Sequence, residues 1–216
     1  MAMKTKDYTV GNVNWNSVYP GVFPGDRNHY VCVDDPKKVK DVDYLILFGG
    51  SDISPTIYGQ KPHKAHAGEQ LSDRDKLELE IVQAAIEQEK PMIGICRGAQ
   101  LLCCVDGGSL WQHVRGHTHT QHTIVDYNGQ ILNVNSDHHQ VMRPSADAFI
   151  IATTKESLSG GTKWDEEERK DDSPEPEIVY FPKINALGIQ PHPEWAVSGA
   201  RWVQYTRSLY REFLCL

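Results

Sequence analysis

The 216-residue sequence has no apolar run approaching the length a bilayer span needs, which excludes a helical membrane protein. Its first residues, Met-Ala-Met-Lys-Thr-Lys-Asp, contain no apolar signal-peptide core, so a cytoplasmic location is expected. The five cysteines (32, 96, 103, 104 and 215) are odd in number and form no CxxC. Neither a disulfide framework nor a zinc ribbon is indicated, and a reducing compartment fits. Basic stripes are missing too. Residues 165–177 carry eight acids against two bases, a net −6 of the chain's −7. The remainder is close to neutral, so neither nucleic acid nor a membrane surface is an expected partner.

What is present points to an α/β protein: a single domain spanning 1–216, with a three-layer, doubly wound, mostly parallel sheet. Strands are expected at Tyr8–Val13, Tyr30–Val33, Asp43–Phe48, Met92–Ile95, Ala148–Thr153, Ile178–Phe181 and Ala186–Gln190. Asn128-Gly129 marks a small antiparallel hairpin between Thr123–Tyr127 and Gln130–Val134. Ser72 with Asp75 three residues on is a helix-start signature, and Lys90-Pro91 ends that helix. Ser198–Leu214 closes the chain as a helix with Trp202, Tyr205, Leu209 and Phe213 on one face. Residues 158–176, rich in Gly, Pro and acid, are expected to be a mobile, solvated insertion.

The organising stretch is Pro91 to Gln100, PMIGICRGAQ. A short buried strand runs into a turn at Cys96, and a helix starts directly behind it. Gly94 and Gly98 flank the cysteine at ±2, the spacing of a nucleophile elbow. The helix start is expected to favour the thiolate and lower the pKa of Cys96. A thiolate nucleophile needs a base, and the base needs an orienting group. His192 and Glu194, two residues apart after the last strand, supply that pair and on an extended segment would point the same way. The stretch His113–His122 is dense in histidine, but its spacing fits no zinc motif and no cysteine or carboxylate cluster accompanies it in sequence. A solvated loop is expected there, with no metal and no cofactor.

Gly94-Ile-Cys96-Arg-Gly98-Ala-Gln100 followed by His192-Pro-Glu194 resembles the class I glutamine amidotransferase domains with their Cys-His-Glu triad. Three further segments resemble the branch of γ-glutamyl-γ-aminobutyrate hydrolase and related γ-glutamyl hydrolases. They are Gly49-Gly-Ser-Asp-Ile-Ser-Pro55 with Tyr58-Gly59, Gly107-Gly-Ser-Leu-Trp-Gln112 and Asn135-Ser-Asp-His-His-Gln140. The likeness covers about residues 43 to 195 in family order. It implies a flavodoxin-like fold and hydrolysis of a γ-glutamyl amide through a γ-glutamyl thioester, on Cys96, His192 and Glu194. It further implies an oxyanion hole from the backbone N–H groups of Gly50 and Arg97, and substrate contacts from Gln100, Ser136, Asp137 and His138. The implied partner is a small γ-glutamyl compound; a separate synthetase or amidoligase, which would make the chain a glutaminase subunit, and a second copy of the chain are left open. Two departures stand out. No early helix is read before Asp43, and residues 158–176 replace a shorter connection.

Overall fold

The computed structural model describes residues 7–13, 19, 21–25, 27–63, 65–159 and 173–216. Eleven strands and three α-helices follow in order: β1 (Thr9–Val13), β2 (His29–Val33), β3 (Tyr44–Leu47), α1 (Asp73–Glu87), β4 (Met92–Ile95), α2 (Arg97–Val105), β5 (Ser109–Trp111), β6 (Thr120–Asp126), β7 (Ile131–Ser136), β8 (Val141–Arg143), β9 (Phe149–Thr154), β10 (Pro176–Phe181), β11 (Ala186–Ile189) and α3 (Arg201–Leu214). Nine strands form one sheet in the order β2-β1-β3-β4-β11-β10-β9-β6-β7. From β2 to β11 every pairing is parallel. From β11 onward every pairing is antiparallel, so the hairpin read at Asn128-Gly129 is the rim of a four-strand extension.

Strand alternation sorts the core into two layers. Tyr44 and Ile46 of β3 and Ile93 and Ile95 of β4 pack with Trp202, Val203, Leu209 and Tyr210 of α3. Leu45, Leu47 and Met92 pack on the opposite face with Ile81 and Val82 of α1 and Leu101 and Leu102 of α2. The result is the three-layer α/β architecture expected. Among the described residues no α-helix precedes Asp43; residues 36–41 form only 3-10 turns. Nor is any helix among them long and apolar enough to cross a membrane.

The start of α1 was legible in sequence. Ser72 Oγ accepts from the Asp75 N–H at 3.0 Å, and Asp75 returns the contact to the Ser72 N–H at 3.1 Å. Two expectations require correction. The histidine-dense stretch is a solvated loop only in part: residues 113–119 are loop and His119 is exposed, but the stretch runs into β6, and His117 and the His122 side chain are at most 5% exposed. Residues 160–172 of the acidic stretch lie outside the described residues. Its far end is not a solvated surface, because Glu175 and Glu177 are fully buried where β10 begins.

Candidate active site

Three parallel neighbours, β3, β4 and β11, end at the same edge of the sheet. Chain segments leaving the carboxyl ends of adjacent parallel strands converge, which is where ligands bind in open α/β sheets. Gly49-Gly50 follows β3, Cys96 follows β4, and His192 follows β11. A cleft of about 370 Å³ opens there, lined by Gly49, Gly50, Cys96, Asp137, His192 and Glu194, with Tyr19, Phe48, Arg74 and Trp195 around them.

Cys96 sits at the N-cap of α2 with φ 50° and ψ −108°, a conformation that L-residues rarely adopt. The flanking glycines make this bend geometrically feasible. A Cβ at Gly94 would lie 2.6 Å from the backbone of Gly98 and Ala99, and one at Gly98 would strike the Leu47 carbonyl. The Cys96 N–H is anchored to the Ile189 carbonyl at 2.8 Å. Its Sγ lies 4.0 Å from the Asp137 carbonyl. Burial pushes the thiol up to about 12, and the nearby carboxylates of Glu194, Asp137 and Asp52 act in the same direction. The hydrogen bond from the Arg97 amide opposes this and does not outweigh it. The expected lowering of the thiol pKa is therefore corrected: burial outweighs the helix start and favours the neutral thiol.

His192 faces Cys96 across Gly49. A methyl placed on Gly49 would be 3.0 Å from His192 Cε1 and 3.8 Å from Cys96 Sγ. His192 Nδ1 lies 2.8 Å from Glu194 Oε1. The carboxylate can only accept, so Nδ1 donates the hydrogen of this bond and Nε2 is the ring nitrogen left for chemistry. Nε2 has no hydrogen-bond partner among the described residues. The segment is not extended, as the spacing suggested, but a 3-10 turn over Pro193–Trp195, and this turn swings Glu194 onto the imidazole. Asn135 clamps the His192 backbone on both sides, donating to its carbonyl at 2.8 Å and accepting from its N–H at 2.9 Å. Trp195 stacks flat on the ring, centroids 3.6 Å apart.

The backbone donors expected at Gly50 and Arg97 are held from behind by a buried ion network. Arg74 donates to the carbonyls of Phe48 and Gly49 at 3.1 Å each. Across a trans peptide the N–H opposes the carbonyl, so pinning the Gly49 carbonyl turns the Gly50 N–H away from Arg74. Arg74 is itself held by Glu78 at 2.7 Å. The Arg97 side chain, 1% exposed, pairs with Asp75 at 2.6 Å and with Glu78. It therefore points into the core between α1 and α2 and reads no substrate; only its amide is near the sulfur.

Of the residues expected at the substrate, the structure brings Asp137 to the cleft. Gln100, Ser136 and His138 are turned into the core behind it. Gln100 donates to Gln140 and Gln190, and Ser136 Oγ donates to the His117 carbonyl. His138 holds the Gln140 carbonyl through Nδ1. Sequence reasoning missed Arg74, Asn135 and Trp195, because each acts by reaching a segment remote from it or by lying over a ring whose orientation is a tertiary matter.

Comparison with known proteins places this geometry. Residues 22–141 match the family model Peptidase C26. A YvdE homolog of Lactococcus lactis subsp. cremoris, described as glutamine amidotransferase-like, is 36% identical over 135 residues, covering 51% of this chain and 71% of its own. The γ-glutamyl-γ-aminobutyrate hydrolase PuuD of Escherichia coli is 37% identical over 70 residues, 32% of this chain and 26% of its own. Among solved structures, PurLQS of Thermotoga maritima superposes with a TM-score of 0.59 at 20% identity, covering 95% of this chain and 99% of that one, a likeness of fold. The family match spans more than half of the chain and includes both the strand end at Gly49-Gly50 and the cysteine elbow: the chain belongs to the Peptidase C26 family, on a class I glutamine amidotransferase-like fold.

Proposed function

We propose that the chain hydrolyses the γ-amide bond of a γ-glutamyl amine, a γ-glutamyl peptide or glutamine. The observation that carries this reading is the strained Cys96 elbow facing a Glu194-oriented imidazole across one cleft. The neutral thiol gives its proton to His192 Nε2 as Sγ bonds to the γ-carbonyl carbon. The resulting oxyanion accepts from the N–H groups of Arg97 and Gly50. When the intermediate collapses, the C–N bond breaks and His192 returns the proton to the leaving nitrogen. Water then attacks the thioester, His192 takes its proton, and glutamate leaves as the thiol reforms. Glu194 holds the imidazole tautomer throughout and stabilises the imidazolium. The Asp137 carbonyl beside the sulfur suits the substrate's α-ammonium group.

Glutamate release from the purified chain tests this, comparing glutamine with γ-glutamyl amines and peptides and using Cys96→Ala as the control. Fast release from one γ-glutamyl compound, lost in Cys96→Ala, is the expected result. Slow release from every compound, with Cys96 still labelled by a glutamine-like electrophile, would instead indicate a glutaminase that requires a synthetase or amidoligase partner. No release and no labelling would overturn the proposal.

A further inference from the structure

The histidine-dense stretch and the buried end of the acidic stretch meet at a point the proposed reaction does not use. His117 precedes β6, His122 lies in β6, His138 follows β7, and Glu177 lies in β10. All four side chains are at most 5% exposed. Glu177 Oε1 lies 3.4 Å from His117 Nδ1, 3.4 Å from His122 Nε2 and 3.8 Å from His138 Nε2. These separations exceed those of good hydrogen bonds. Both Glu177 oxygens, both ring nitrogens of His122 and Nε2 of His138 have no hydrogen-bond partner among the described residues. No Lys or Arg among them lies within ion-pair distance of Glu177.

The tautomer of His138 sharpens the point. Its Nδ1 is 2.9 Å from the Gln140 carbonyl, which only accepts, so Nδ1 carries the hydrogen. Nε2 is left facing the buried carboxylate of Glu177 at 3.8 Å. A backbone carbonyl fixing one nitrogen while the other faces the centre is the standard support of a metal-binding histidine. A tetrahedral ion with bonds of about 2.0–2.1 Å sets its donor atoms about 3.3–3.4 Å apart. The donor atoms of His117, His138 and Glu177 all lie within 4.8 Å of one another.

We propose that His117, His138 and Glu177, with His122 as the fourth donor, form a structural site for a zinc-class divalent transition ion. Imidazoles with one carboxylate suit zinc rather than calcium or magnesium, which prefer all-oxygen shells. The carboxylate of Glu175 lies 3.9 Å from His117 Nε2, beyond hydrogen-bond reach but near enough to act through its charge. With Glu177 it balances the ion's double charge. With His122, 3.4 Å from the Glu177 carboxylate, turned in as the fourth donor no position stays open, and the ion is a clamp and not a catalyst. What it clamps is the cleft wall: the His117 carbonyl accepts from Ser136 Oγ and from the His138 N–H, and Asp137 between them faces Cys96. A second group, Asp52 with His66 and His139, is partly exposed, and His139 already pairs with Asp52 at 3.0 Å.

The test is metal binding by chelator-treated protein, run on the wild type and on Cys96→Ala so that the thiol cannot be the ligand. One equivalent of Co²⁺ should bind with the absorption of a tetrahedral nitrogen–oxygen site and be displaced by Zn²⁺. Binding should raise Tm by several degrees. Glu177→Gln or His122→Asn should weaken binding by more than the roughly 10–100-fold that loss of an outer-shell partner costs, whereas His66→Ala should leave it unchanged. X-ray absorption of the zinc-loaded wild type, which needs no variant to fold, should give a four-coordinate nitrogen–oxygen shell with imidazole scattering. No saturable binding at about 0.1 mM metal, sulfur in the shell, or sensitivity to His66→Ala in place of Glu177→Gln would overturn the proposal.

Discussion

Replacing Cys96 by glycine should stabilise the protein relative to replacing it by alanine, the reverse of the usual order. At φ 50°, ψ −108° the Cβ of any L-residue is strained, and such conformations cost about 1–3 kcal/mol. Alanine keeps that strain and glycine releases it. Against this, glycine gives the unfolded chain extra freedom, worth about 0.4–1 kcal/mol. The N-cap position adds a few tenths of a kcal/mol in glycine's favour. The balance is about 1 kcal/mol for Cys96→Gly over Cys96→Ala, or roughly 2–4 °C in Tm for a chain of this size. Urea denaturation of both variants measures it, and neither should release glutamate. If Cys96→Gly were the less stable by 0.5 kcal/mol or more, as at an unstrained site, the elbow would not store strain and the argument would fail.

Alkylation of Cys96 by iodoacetamide should accelerate with pH through neutrality toward about 12, because burial favours the neutral thiol; a plateau reached near pH 7 would mean a resting thiolate. Arg97→Met leaves Asp75 buried without its cation and Glu78 with Arg74 alone, and should cost about 3 kcal/mol in denaturant unfolding; a loss below 1 kcal/mol would contradict the role assigned to the network. Trp195→Ala removes a ring stacked on His192 yet 59% exposed, so kcat should fall roughly 2–10-fold with little change in Tm. Glu194→Gln should slow turnover less than Cys96→Ala, since Glu194 only orients the base; equal losses would give it a more direct part.

The sequence by itself determined what depends on neighbours in the chain. The Gly94-x-Cys96-x-Gly98 elbow, the Ser72/Asp75 capping box and the Asn128-Gly129 turn are each set by backbone sterics within a few residues, and each formed where it was read. His192 and Glu194 also pair as their spacing required, although by a 3-10 turn in place of an extended segment. Tertiary structure alone decided where side chains distant in sequence point and how much water they keep. The Arg97 guanidinium turns to Asp75 and Glu78 because α1 brings two carboxylates behind the elbow. The Cys96 thiol is pushed up rather than down because burial and three carboxylates from separate segments outweigh the amide at the start of α2. Members of polar stretches that read as solvated, His117 and His122 in one and Glu175 and Glu177 at the end of the acidic run, are drawn inside where β6, β7 and β10 meet. Composition tells how many charges a chain carries, whereas burial, which controls what those charges do, is a property of the assembled sheet.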